Sequence, residues 1–90
     1  MAEAGFRVTG RVQGVGFRWW ARAQAAALGL AGTVRNAADG SVEVQARGSD
    51  HALAELERLL GEGPLHAQVR AVERIPAALP STMDGFSIIR

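Results

Sequence analysis

The apolar periodicity of this chain changes twice, in the same way each time. Residues 6 to 13, FRVTGRVQ, alternate: Phe6, Val8, Gly10 and Val12 fall on one face, and Arg7, Thr9, Arg11 and Gln13 on the other. A period of two marks a half-buried strand. From Phe17 the spacing becomes helical, with Phe17, Ala21, Gln24, Ala25 and Leu28 recurring along an alanine-rich segment. Gly29 is placed to cap its C-terminus. The change recurs after SVEVQAR, residues 41 to 47, where Val42, Val44 and Ala46 share a face. The segment SDHALAELERLL then opens with Ser49 as an N-cap and Asp50 in the first turn, and Leu53, Leu56 and Leu60 form its apolar stripe.

The punctuation between these segments fixes the order of the others. A second strand is expected over residues 30 to 35, and NAADG, residues 36 to 40, reads as a hairpin turn with Asp39-Gly40 at its tip. The EGP at residues 62 to 64 stops the second helix. A strand over residues 67 to 74 follows, and after Pro76 and Pro80 the chain closes on GFSIIR as a short strand. The order strand, helix, strand, strand, helix, strand, with one terminal strand, predicts an α/β (α+β) class. The architecture is the ferredoxin-like split βαβ sandwich, two helices on one face of a four- to five-stranded, mostly antiparallel sheet. At 90 residues this is one domain, 1–90, with residues 1–5 expected as an N-terminal tail.

That fold hosts many functions, so function has to come from a site. The formal net charge is +1 and the basic residues, all arginine, are not clustered, which argues against nucleic acid as a partner. The exposed side of the first strand offers Arg7, Thr9, Arg11 and Gln13 rather than the aromatic platform an RNA-binding sheet needs. There is no cysteine, hence neither disulfides nor thiolate metal ligands. No apolar run approaches membrane-spanning length, and MAEAG at the start contains no basic n-region. These features are those of a cytoplasmic protein without a membrane partner.

The connection between the first strand and the first helix carries the chemistry. GRVQGVGFRWW, residues 10 to 20, holds Gly10, Gly14 and Gly16, and Arg18 sits in the first turn of the helix. The P-loop and dinucleotide fingerprints are both absent, the latter because Trp19 stands where its last glycine would be. A short loop into a helix start gathers backbone N–H groups that lack intrahelical acceptors, and the helix dipole adds positive potential there. Glycines at 14 and 16 keep that concavity clear. The arrangement suits a phosphate, with the Arg18 guanidinium as a fork of donors. One alternative stands beside this reading: Gly14 and Gly16 only serve a tight turn, with Arg18 a solvated helix residue. Asn36, the only asparagine, lies at the end of the second strand, where it is either turn chemistry or a neutral amide able to hold a water beside the nest.

GRVQGVGFR followed by GTVRNAADGSVEV, with LGL at 28 to 30, GP at 63 to 64 and the terminal GFSI, resembles the acylphosphatase family over Phe6 to Arg90. The resemblance implies hydrolysis of the carboxyl–phosphate bond of an acyl phosphate to a carboxylate and inorganic phosphate, by in-line attack of water. It implies no metal and no cofactor. It places substrate binding on Gly14, Val15, Gly16, Phe17 and Arg18, and catalysis on Arg18 and on Asn36 as the water-positioning amide. The partner is a small-molecule acyl phosphate, and a monomer is the expected state. The alternative function is a non-catalytic phosphate- or carbamoyl-phosphate-binding module. Thr33, Ala37 and Arg47 depart from the family pattern, which bears on rate and acyl preference. His51 and His66 read as surface residues.

Overall fold

The computed structural model describes all residues, Met1–Arg90. The first strand, β1, runs Ala2–Arg11, so four of the five residues expected as a tail belong to the sheet. Ala2 pairs with Gly48 and Ala4 with Ala46, and Ala4 is buried. The segment lacks a strong alternation of its own because small residues suffice where the partner strand supplies the packing. The rest of the chain gives α1 (Phe17–Ala27), β2 (Ala31–Asn36), β3 (Val42–Gly48), α2 (Asp50–Glu62), β4 (Gln68–Ile75) and β5 (Phe86–Ile89). Leu28 caps α1, and Gly29 follows at φ 73°, the left-handed conformation the expected cap required.

The five strands form one sheet in the order β4-β1-β3-β2-β5. Every pairing is antiparallel except β2 with β5. Both helices pack against the same face, where Phe6, Val8, Val34, Val42 and Val44 meet Phe17, Ala21, Ala25, Leu53, Leu56 and Leu60 in one core. On the other face, Arg7 and Arg35 flank the Glu43 carboxylate. The connection from β4 to β5 joins opposite edges of the sheet and crosses this second face. Gln45 holds it by donating to the Pro76 carbonyl and accepting from the Ala78 amide, and Arg47 donates to the Pro80 carbonyl. Arg47 also pairs with Glu3. Arg47 is therefore part of the contact between the sheet and the crossing strap.

The alternation expected over residues 6 to 13 holds for Phe6 and Val8 and then shifts. A bulge between Thr9 and Gly10 changes the register with β4. Gly10 becomes exposed, and a side chain there would lie 2.2 Å from the Gln68 carbonyl oxygen, so the close strand approach demands glycine. Beyond the strand, Val12 is buried in the core and Gln13 is partly buried. Gln13 is thus not the solvent-facing strand residue that simple alternation predicts.

Candidate active site

Val12 and Phe17, each almost fully buried, pin the two ends of the loop between β1 and α1. Phe17 is also the first residue of α1 and meets Trp20 edge to face at 5.3 Å. Between these anchors Gly14 and Gly16 adopt φ 76° and 77°. A side chain at either position would meet no protein atom within 4 Å, so glycine is needed for its left-handed backbone, not for lack of room. The open space beside them belongs to a cavity.

That cavity, of about 230 Å³, is lined by Val12, Gly14, Gly16, Phe17, Arg18, Trp19 and Asn36. Four of the five loop residues singled out from the sequence therefore border one concavity with Asn36. Val15 does not line it; its side chain packs against the core. Ala37, next to Asn36, and Thr33, on the strap side of the sheet, also lie outside its lining. His51 and His66 are exposed and do not line it.

The cavity's electrostatics favour an anion. Gly16 caps α1 without a side-chain hydrogen bond, and the first turn has no acidic residue. None of the backbone amides from Gly14 to Trp19 donates a hydrogen bond within the chain; the first to do so is Trp20, to the Gly16 carbonyl. Those amides sit at the positive end of the helix dipole. Arg18 has no carboxylate within salt-bridge distance, unlike Arg7, Arg35, Arg47, Arg58 and Arg74. Its only hydrogen bond is a long one, 3.5 Å, from Nη1 to the Ile89 carbonyl on β5. The Asn36 carboxamide makes no hydrogen bond to the protein. A cation and a neutral amide thus border one concavity, the amide unbonded and the guanidinium with one long hydrogen bond only.

Strand order makes this meeting informative. The loop leaves β1 and Asn36 ends β2, yet β3 lies between those strands. Asn36 pairs with Val42 at the start of β3, so the two halves of the site meet above the end of the intervening strand. One residue that the sequence reading passed over joins them. Gln13 Nε2 donates to the Ala37 carbonyl at 2.8 Å and to the Ser41 carbonyl at 2.9 Å. The only sequence signal for this was its place immediately before the glycine loop. The hairpin it grips is closed by the Ala37 amide donating to the Ser41 carbonyl and by Asp39, which accepts from the Ser41 amide and hydroxyl. These bonds from Ser41 hold the Asp39 carboxyl below the usual carboxylate range, the hydroxyl contributing most.

Comparison with known proteins identifies relatives over nearly the whole chain. The family described as Acylphosphatase matches residues 4–88. An acylphosphatase of Xanthomonas oryzae pv. oryzae is 54% identical over 84 residues, covering 93% of this chain and 96% of its own. The crystal structure of acylphosphatase from Bacillus subtilis superposes with a TM-score of 0.92 at 33% identity, over 100% of both chains. A crystal structure of full-length HypF in its phosphate- and nucleotide-bound form shares the fold, with a TM-score of 0.77 at 24% identity, but this chain covers only 12% of it.

Proposed function

The chain belongs to the acylphosphatase family and is an acylphosphatase; from that premise we propose how its own residues perform the hydrolysis. The loop amides from Gly14 to Arg18 and the Arg18 guanidinium bind the phosphoryl group, and Asn36 positions the attacking water. The observation that carries this reading is the single cavity bordered by Gly14, Gly16, Phe17, Arg18 and Asn36, at a helix start without a cap of its own.

The substrate is a small-molecule acyl phosphate. Its leaving group is a carboxylate, a weak base that departs without a strong general acid, so positioning and charge stabilisation dominate. The phosphoryl oxygens lie against the amides and the guanidinium, donors fixed before the reaction begins. Water held by the Asn36 carboxamide attacks phosphorus opposite the leaving oxygen. The new P–O bond forms as the bond to the acyl oxygen breaks, and that bond's electron pair leaves with the carboxylate. The proton from water passes to a phosphate oxygen, a route that suits a cavity lined by no histidine or carboxylate. The working unit is a monomer. The absence of cysteine suits a cytoplasmic setting.

The test is hydrolysis of benzoyl phosphate, followed by its ultraviolet absorbance in chelator-treated buffer. Arg18→Gln should lower kcat/KM by about 100-fold or more and weaken inhibition by inorganic phosphate. Asn36→Ala should lower kcat by a similar order while KM moves less than about threefold. A wild type that binds phosphate but does not turn over would mark the site as a binding module instead.

A further inference from the structure

We propose that Gln13 is a positioning residue for the reaction, setting the place of Asn36 against the phosphate loop through its side-chain amide. The proposal rests on the assignment of Asn36 to the water. Its basis is the connectivity of the site. The two halves stand on β1 and β2, which are not neighbours in the sheet, and β3 separates them. No backbone ladder joins them directly. Gln13 is one residue before Gly14, and its acceptor Ala37 is one residue after Asn36. The side chain therefore links the halves at the points adjoining each.

The chemistry of the link is specific to a primary amide. One NH₂ group serves two carbonyls, at 2.8 Å and 2.9 Å. Both carbonyls already accept within the hairpin, Ala37 from the Gly40 amide and Ser41 from the Ala37 amide. The clamp thus engages the closing bonds of the turn itself, at the mouth where Asn36 leaves it. Because both acceptors are carbonyls, a carboxylate at position 13 would repel them, and an apolar side chain would leave each with its turn bond alone and the two halves unlinked. Val12 and Phe17 keep the loop anchored in the core without this link, so phosphate binding should persist when it is cut.

The experiment is a double-mutant cycle on benzoyl phosphate, using Gln13→Met, Asn36→Ala and the double variant, with inhibition by inorganic phosphate measured for each. Gln13→Met keeps the length and removes the donors. It should lower kcat on the order of tenfold, with the phosphate inhibition constant within about twofold of wild type. In the Asn36→Ala background the same substitution should cost less than about twofold, because its effect passes through Asn36. Gln13→Glu should also lose kcat and regain part of it as the pH falls and the new carboxyl takes a proton and becomes a donor. Equal losses from Gln13→Met in both backgrounds would overturn the positioning role and leave the assignment of Asn36 standing. An unchanged kcat in Asn36→Ala alone would overturn that assignment and the role of Gln13 together. Should Gln13→Met not fold, the Gln13→Glu pair of single and double variants decides by the same comparison.

Discussion

The two helices of this protein begin in opposite ways. At the start of α2, Ser49 Oγ accepts from the Ala52 amide at 3.0 Å, and Asp50 supplies a negative charge in the first turn. At the start of α1 the capping residue is Gly16, without a side chain, and no acid follows it. A chain able to cap one helix so completely has left the other open, and the open one borders the cavity with Arg18 and Asn36. An N-cap satisfies orphan amides from within, which helps the fold and removes the anion site; an open end gives up that stabilisation and keeps the amides for a ligand. What holds α1 without a cap is packing. Phe17 is 2% exposed, and Ala21 and Ala25 are fully buried beneath it.

The comparison breaks most directly if α1 is given the acid that α2 has. Asp tolerates the left-handed backbone of position 16 better than most residues, and its carboxylate would take the amides for itself. Gly16→Asp should lower kcat/KM by about 100-fold or more, the order expected when a preorganised anion site is lost. It should also abolish protection by phosphate. For the wild type, phosphate at a hundred times its dissociation constant stabilises by about 2.7 kcal/mol, which in a domain of this size raises Tm by roughly 10–20 °C. Thermal melts with and without phosphate check this. Activity within about threefold of wild type would mean that the open end of α1 is not where the phosphoryl group sits.

The converse change removes the cap of α2. Ser49→Ala deletes the bond to the Ala52 amide and should cost about 1 kcal/mol of stability. Because α2 contributes nothing to the cavity lining, kcat/KM should stay within about twofold and phosphate should raise Tm by the same increment as in wild type. Denaturant unfolding and the benzoyl phosphate assay separate the two readouts. A fall in activity comparable to that of Gly16→Asp would erase the distinction between the helix ends.

The difference between the helix ends was legible in the sequence. Ser49 and Asp50 announce a cap, and Gly14, Gly16 and Arg18 announce a loop without one. The element order was equally legible, because periods of two and of a helix are local and each segment is long enough to express one. The structure departs from these expectations where the cause is non-local. Residues 2 to 5 join β1 because Ala46 and Gly48 pair with them, and nothing in AEAG itself requires that. Gly10 leaves the core face because of a bulge against β4. Gln13 looked like the last outward residue of a strand. Its two acceptors lie 24 and 28 residues away, and only the pairing of β1 with β3 brings the end of β1 beside the hairpin. Side chains that brace a site across sequence distance leave no periodic trace.

The hairpin that carries Asn36 offers the smallest effect, and a way to tell local capping from catalysis by pH. Asp39 does within the turn what Ser49 does at α2: it satisfies nearby donors, the amide and hydroxyl of Ser41. Those bonds favour the ionised carboxyl, so its pKa lies below the unfolded value of 3.8. A carboxyl whose pKa is lowered by folding stabilises the native state above the unfolded pKa. That contribution disappears as the pH falls through the lower folded value. Replacing Asp39 with Asn keeps an acceptor for Ser41 and removes the titration. The wild type should therefore melt slightly above Asp39→Asn at neutral pH, and the gap should close as the pH drops below 3.8. The other carboxylates are common to both proteins, so the difference between their melting curves isolates this one. A gap that persists unchanged below that pH would mean that the charge of Asp39 does not hold the hairpin. The rigidity of the turn beneath Asn36 would then rest on its backbone bonds and on Gln13.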